Sequence, residues 1–94
     1  KDVPEDVLVF EIKGPFFFGA ADKLEQAFAI TEDDPACIVF NFAQVPFIDM
    51  TGLTIFQKIV QQFYRRGVKI YIESANERIM KKIKKMNIDQ FIQP

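Results

Sequence analysis

A chain of 94 residues builds one domain, and its 12 basic against 13 acidic side chains give no global field that would recommend nucleic acid as a partner. At this size folding buries only about 60–65% of the surface the unfolded chain exposes, so a rich core is needed, and 49% apolar residues with 11 Phe supply it. The absence of histidine and the single cysteine, Cys37, exclude Ser-His-Asp and Cys-His nucleophile systems, zincin motifs and an internal disulfide, and they point to a reducing compartment.

No apolar run approaches the ~20 residues of a membrane span, so this segment is expected to be soluble or to rest on a membrane or a membrane-embedded partner. It starts at Lys1 without an initiator Met or a signal peptide, as expected of a piece of a longer protein, although a trimmed terminus would give the same start.

Lys1–Asp6 is polar, with Pro4, and leads into Val7–Lys13, a strand by its β-branched and aromatic residues. Gly14-Pro15 marks a turn or strand break. Phe16-Phe17-Phe18-Gly19 then reads as a short second strand pairing back on the first. Strand side chains alternate, so three consecutive Phe cannot all enter one core. At least one is expected to point away from it, toward a helix of the same domain or toward a partner.

Ala20–Ile30 sets Ala20, Leu24, Ala27 and Phe28 on one helical face, and Thr31–Pro35 is a turn. Ala36–Phe42 is apolar apart from Asn41, as expected of a strand covered on both faces. A short loop with Pro46 leads to Asp49-Met50-Thr51-Gly52 and a helix, Leu53–Arg66, that buries Leu53, Phe56, Ile59, Val60 and Phe63 and leaves Gln57, Lys58, Gln61 and Gln62 outside. Gly67 stops it, with Arg65 and Arg66 at the negative end of the helix dipole.

Val68–Glu73 alternates as a strand, and Ser74-Ala75-Asn76 precedes a third helix, Glu77–Lys85, with Ile79, Met80, Ile83 and Met86 inward. Asn87-Ile88 ends that helix, and Asp89–Pro94 is either a last strand or the start of a further helix. The order β-β-α-β-α-β-α indicates an α/β fold whose sheet is covered by helices, with parallel, right-handed central crossovers.

Two stretches carry functional signal. A helix start at the end of a buried strand leaves backbone N–H groups without intrahelical partners, and these suit a capping Asp or Thr, a phosphate or another anion. Asp49, Thr51 and Gly52 are therefore the candidate anion, nucleotide or phosphorylation site, set against the plainer reading that Asp49 or Thr51 caps the helix. One carboxylate without a second acid, a nucleophile or a metal cluster argues against an enzyme, and no phosphate-cradling glycine loop is present. No catalytic residue, metal or cofactor is therefore assigned.

The second stretch holds Arg78, Lys81, Lys82, Lys84 and Lys85, of which residues 78, 81, 82 and 85 share one helical face. The plain reading is a solvated face. The functional one is contact with an acidic protein patch, or with anionic headgroups at ~1 kcal/mol per charge.

Val39-Phe40-Asn41-Phe42 followed by Val45–Leu53 resembles the core of STAS domains, which are named for sulphate transporters and anti-sigma factor antagonists. The resemblance covers nearly the whole chain, so residues 1–94 are read as a single STAS domain. It implies the STAS fold: a central mixed β-sheet, with a parallel core and an N-terminal hairpin, flanked by helices. Gly14-Pro15-Phe16-Phe17-Phe18-Gly19-Ala20-Ala21-Asp22 resembles the corresponding segment of SulP-type anion transporters, whose STAS domain follows the transmembrane part and lies in the cytoplasm.

The resemblance implies a non-catalytic regulatory domain at the cytoplasmic face of the cell membrane, within a transporter for sulphate or a related inorganic or small organic anion. Its implied partners are the transmembrane part of the same protein, other cytoplasmic proteins or a second STAS domain, and a membrane surface through the basic helix. The contact candidates are Phe16, Phe17, Phe18, Met50, Arg78, Lys81, Lys82 and Lys85.

The alternative is a free-standing partner switch like the anti-sigma factor antagonists. In those proteins the phosphorylated hydroxyl follows the motif's aspartate directly; here that position is Met50, and Thr51 holds the next one. A phosphate on Thr51, ~5 Å from Asp49 at an effective dielectric of ~20, would meet a repulsion of roughly 5–7 kcal/mol, or roughly 1–2 if fully solvated. The helix dipole returns about 0.3–2 kcal/mol, so modification is expected to loosen this loop.

Overall fold

Three runs rich in β-branched and aromatic residues pair side by side in parallel. In the computed structural model of the chain, the described residues are 7–14 and 35–93. Among them the elements are β1 (Val7–Lys13), β2 (Cys37–Gln44), α1 (Met50–Arg65), β3 (Lys69–Glu73), α2 (Glu77–Lys85) and a 3₁₀ turn (Ile88–Phe91). The sheet order is β1-β2-β3, both pairings are parallel, and the register matches Leu8 with Ile38 and Ile38 with Ile70.

This is the α/β architecture expected, with the parallel core in place. The hairpin strand at Phe16–Phe18 and the helix at Ala20–Ile30 lie outside the described residues. The tail resolves an open choice: after the 3₁₀ turn, Ile92 makes a single parallel bridge to Ile70, and the amide of Gln93 donates to the Ile70 carbonyl at 2.7 Å.

The alternation of β2 decides which face is the core. Ile38, Phe40 and Phe42 are buried, whereas Cys37, Val39 and Asn41 are half-buried, so among the described residues one face is sealed more fully than the other. The less buried face carries a polar row at its C-terminal end: Asn41 donates to Glu73 at 2.9 Å, and Gln44 to Glu11 at 3.3 Å. On the sealed face the Phe56 ring of α1 lies edge-on to Phe40 and Phe42, with centroids 5.1 and 5.5 Å apart. Such pairs add about 0.5–1.5 kcal/mol beyond the area they bury.

All five residues assigned to the inner face of α1 are buried, and Gly52 joins them. Gln61 is half-buried where an outward place is expected, and Gln57 departs further. It is half-buried, and its amide donates to the Met86 carbonyl at 3.3 Å, satisfying an acceptor at the end of α2. The stop at Gly67 is a Schellman motif: Gly67 has φ +84°, its amide donates to Tyr64 at 3.1 Å, and that of Val68 to Phe63 at 3.0 Å. A non-glycine residue there would be strained.

Because Phe56 is fully buried between two rings, Phe56→Ala is expected to cost about 3–5 kcal/mol in urea unfolding. Tyr64→Ala, half exposed on the same helix, should cost clearly less. Similar losses for the two would contradict this placement of the core.

Candidate functional site

The site begins where β2 leaves the sheet. Val45 and Ile48 turn inward and are buried, while Pro46 and Phe47 stay exposed. Backbone acceptors in such a turn need partners, and the α2 segment supplies them. The Asn76 side-chain nitrogen donates to Pro46 at 3.0 Å and to Val45 at 3.4 Å. The Lys82 ammonium donates to Ile48 at 2.7 Å. Asn76 has a second task, since its side-chain oxygen caps α2 by accepting from the Ile79 amide at 2.9 Å.

The following residues start α1. Asp49 is extended, with φ −87° and ψ 171°, and one carboxylate oxygen accepts from the Gly52 amide at 2.6 Å. Its own carbonyl accepts from Leu53 at 2.9 Å. This settles the choice of cap: Asp49 holds the position, and Thr51 is the second residue of the helix, exposed. Gly52 is buried, with its amide already engaged. An anion approaching these N–H groups meets the Asp49 carboxylate already seated there, and like charges repel.

Met50, the next residue, is 66% exposed. Across from it, the start of α1 and the end of α2 enclose an open groove of about 380 Å³, lined by Met50, Leu53, Lys82, Lys85 and Met86. Three apolar side chains and two lysines line it. Two stretches that looked independent in the sequence, Met50 and the basic helix, thus meet at one place. Arg78 and Lys81 are exposed but do not line the groove. Phe16, Phe17 and Phe18 lie outside the described residues.

Leu53 and Met86 were absent from the candidates. Their only signal was apolar periodicity, which marks a core position equally well. Among the described residues, no group of three or more His, Cys, Asp or Glu side chains is placed to hold a metal.

Comparison with known proteins adds the family. The STAS domain family matches residues 1–94. Among curated proteins, the Bicarbonate transporter BicA of Synechocystis is 24% identical over 86 residues, covering 92% of this chain but 15% of the transporter, so the chain spans a small part of that relative.

Among solved structures, a SulP transporter STAS domain from Vibrio cholerae aligns with TM-score 0.82 and 32% identity, over 98% of this chain and 72% of that one. A sulfate transporter family protein from Wolinella succinogenes aligns with TM-score 0.87 and 28% identity, over 99% and 76%. The anti-sigma factor antagonist SpoIIAA shares the fold, with TM-score 0.72 at 15% identity over 89% and 78%.

The capping assignment makes a graded prediction for thermal or urea unfolding. Asp49→Ala is expected to lose about 0.5–2 kcal/mol, Asp49→Asn much less, and Thr51→Ala to stay within about 0.5 kcal/mol of the parent. A larger loss for Thr51→Ala than for Asp49→Ala would reverse the assignment.

Proposed function

The chain belongs to the STAS family, among the STAS domains of SulP-type transporters, and on that premise we propose that it is a non-catalytic regulatory domain joined to a membrane-embedded anion transporter. The observation that carries the non-catalytic part is the state of Asp49. The one carboxylate at the candidate site is committed to the Gly52 amide, beside a groove whose lining contains no acid and no nucleophilic hydroxyl. Such a surface suits contact, and catalysis would need at least a second reacting group.

The domain sits at the cytoplasmic face of the membrane and acts on transport, assembly or trafficking through its contacts, first with the transmembrane part of the same protein. Further cytoplasmic proteins, a second STAS domain and the membrane surface are the remaining partners in this reading. Among the described residues no helix is long and apolar enough to cross a membrane, so transport would be carried by segments outside the described residues. The cargo is sulphate or a related inorganic or small organic anion, a class that the bicarbonate transporter relatives also fit.

The second reading, a free-standing partner switch, draws on the shared fold with SpoIIAA and on the hydroxyl kept at Thr51. Against it stands Met50, which has no oxygen to phosphorylate at the position following the motif aspartate.

The two readings diverge in the intact gene and in the cell. The transporter reading expects the gene to encode a series of apolar spans of ~20 residues each. It also expects removal of residues 1–94 to change uptake of labelled sulphate or bicarbonate, or the amount of transporter reaching the membrane. Unchanged uptake and surface level would overturn the regulatory role. A kinase that modifies Thr51 in a spanless protein, with release of a bound partner, would favour the switch.

A further inference from the structure

The groove between α1 and α2, read above as a contact surface, has a chemistry that points to what would occupy it. Its floor is apolar: Leu53 is buried and Met86 half-buried, with Met50 as an exposed lip. Its edge is cationic, because Lys82 and Lys85 both reach it. Lys82 is held in place through Ile48, which leaves two of its three ammonium protons for a ligand.

The positive charge is local. Glu77–Lys85 carries five basic residues against one acid, in a chain whose net charge is −1. Arg78 and Lys81 continue the charge along the same helical face for ~10 Å beyond Lys85, about two turns.

From this we propose that the groove is a docking site for an acidic amphipathic helix of a partner protein, one apolar side chain seating between Met50, Leu53 and Met86 while its carboxylates meet Lys82 and Lys85. The pattern is the helix-in-groove mode, in which apolar anchors recur at i, i+3, i+4 and i+7. A volume of about 380 Å³ suits one large anchor side chain with its neighbours' contacts. The two-turn basic strip is longer than a small anion can use, and it matches carboxylates spaced along a helix.

A bilayer fits less well. Membrane-surface helices present protruding apolar side chains, whereas of the groove's apolar lining Leu53 is buried, Met86 half-buried and Met50 exposed. A flat lipid surface does not reach Leu53.

The test uses the 94-residue chain and two fluorescein-labelled synthetic helices of about 15 residues, with Leu at i, i+3 and i+7. One carries Glu on the flanking positions and the other Lys. By fluorescence anisotropy, the Glu helix is expected to bind and the Lys helix not to bind. Lys85→Glu should weaken the Glu helix about tenfold and let the Lys helix bind. Met50→Asp should also weaken the Glu helix, with no change in melting temperature, because the side chain is exposed.

Rescue of binding by the charge exchange cannot come from misfolding, so it keeps the result interpretable. Failure of the Glu helix to bind, or binding indifferent to both substitutions, overturns the proposal. Lys85-dependent binding to phosphatidylglycerol vesicles with no binding of the Glu helix also overturns it, in favour of a membrane contact. None of these outcomes bears on whether the chain is a transporter domain, which the uptake experiment decides.

Discussion

The turn between β2 and α1 has to be held from outside itself. Val45 and Ile48 anchor it in the core, but its carbonyls depend on Asn76 and Lys82, some 30 residues further along the chain. The hydrogen bond from the charged Lys82 to Ile48 is part-buried, and bonds from charged donors are worth about 1.5–3 kcal/mol net. Packing adds to this, since Ile79 and Ile83 fix α2 by its apolar face. With α2 fixed, its basic face is brought against the start of α1, and the groove follows. Lys82 therefore serves the fold and presents charge at the surface with one side chain.

The same turn also fixes the Asp49 side chain. Asp49 could have been free to act as an acid, a base or a repelling guard; instead it spends a carboxylate oxygen on the Gly52 amide at 2.6 Å. A charge-assisted bond of this kind is stronger than a neutral one, so the carboxylate is costly to withdraw. What remains at the surface is Met50, a flexible and polarizable side chain suited to varied partners. Beside it lie Lys82 and Lys85. Met is enriched at interfaces, whereas Lys is depleted from their cores, so in a contact here Met50 would serve as an anchor and the two lysines as a polar rim.

Much of this was legible in the residues, where the signal is local. The 3.6-residue period located Leu53, Phe56, Ile59, Val60 and Phe63, and Gly67 marked the helix end to within one residue. The bounds of α2 were read directly, because Asn76 supplies a cap and Asn87, at φ +59°, takes the left-handed position after the helix. Non-local contacts were not legible. Nothing in the spacing of Gln57 says that it turns in toward Met86, or in that of Lys82 that it reaches Ile48. Asp49 and Thr51 have similar capping preferences, so sequence could name both and the backbone had to choose. The groove was missed for the same reason: its floor residues satisfy a core pattern, and its polar residues satisfy a surface pattern.

Whether this face is a contact surface in the intact protein is measured most directly by site-specific photo-crosslinking in the native cell. A photoreactive residue would replace Met50 in one variant and Tyr64 in another. Both positions are exposed, and they lie ~21 Å apart along α1. Position 50 is expected to give a discrete protein adduct that disappears with Lys85→Glu, and position 64 to give none of the same mass. Equal labelling from both positions, or no adduct from position 50, would contradict the assignment of this face to recognition.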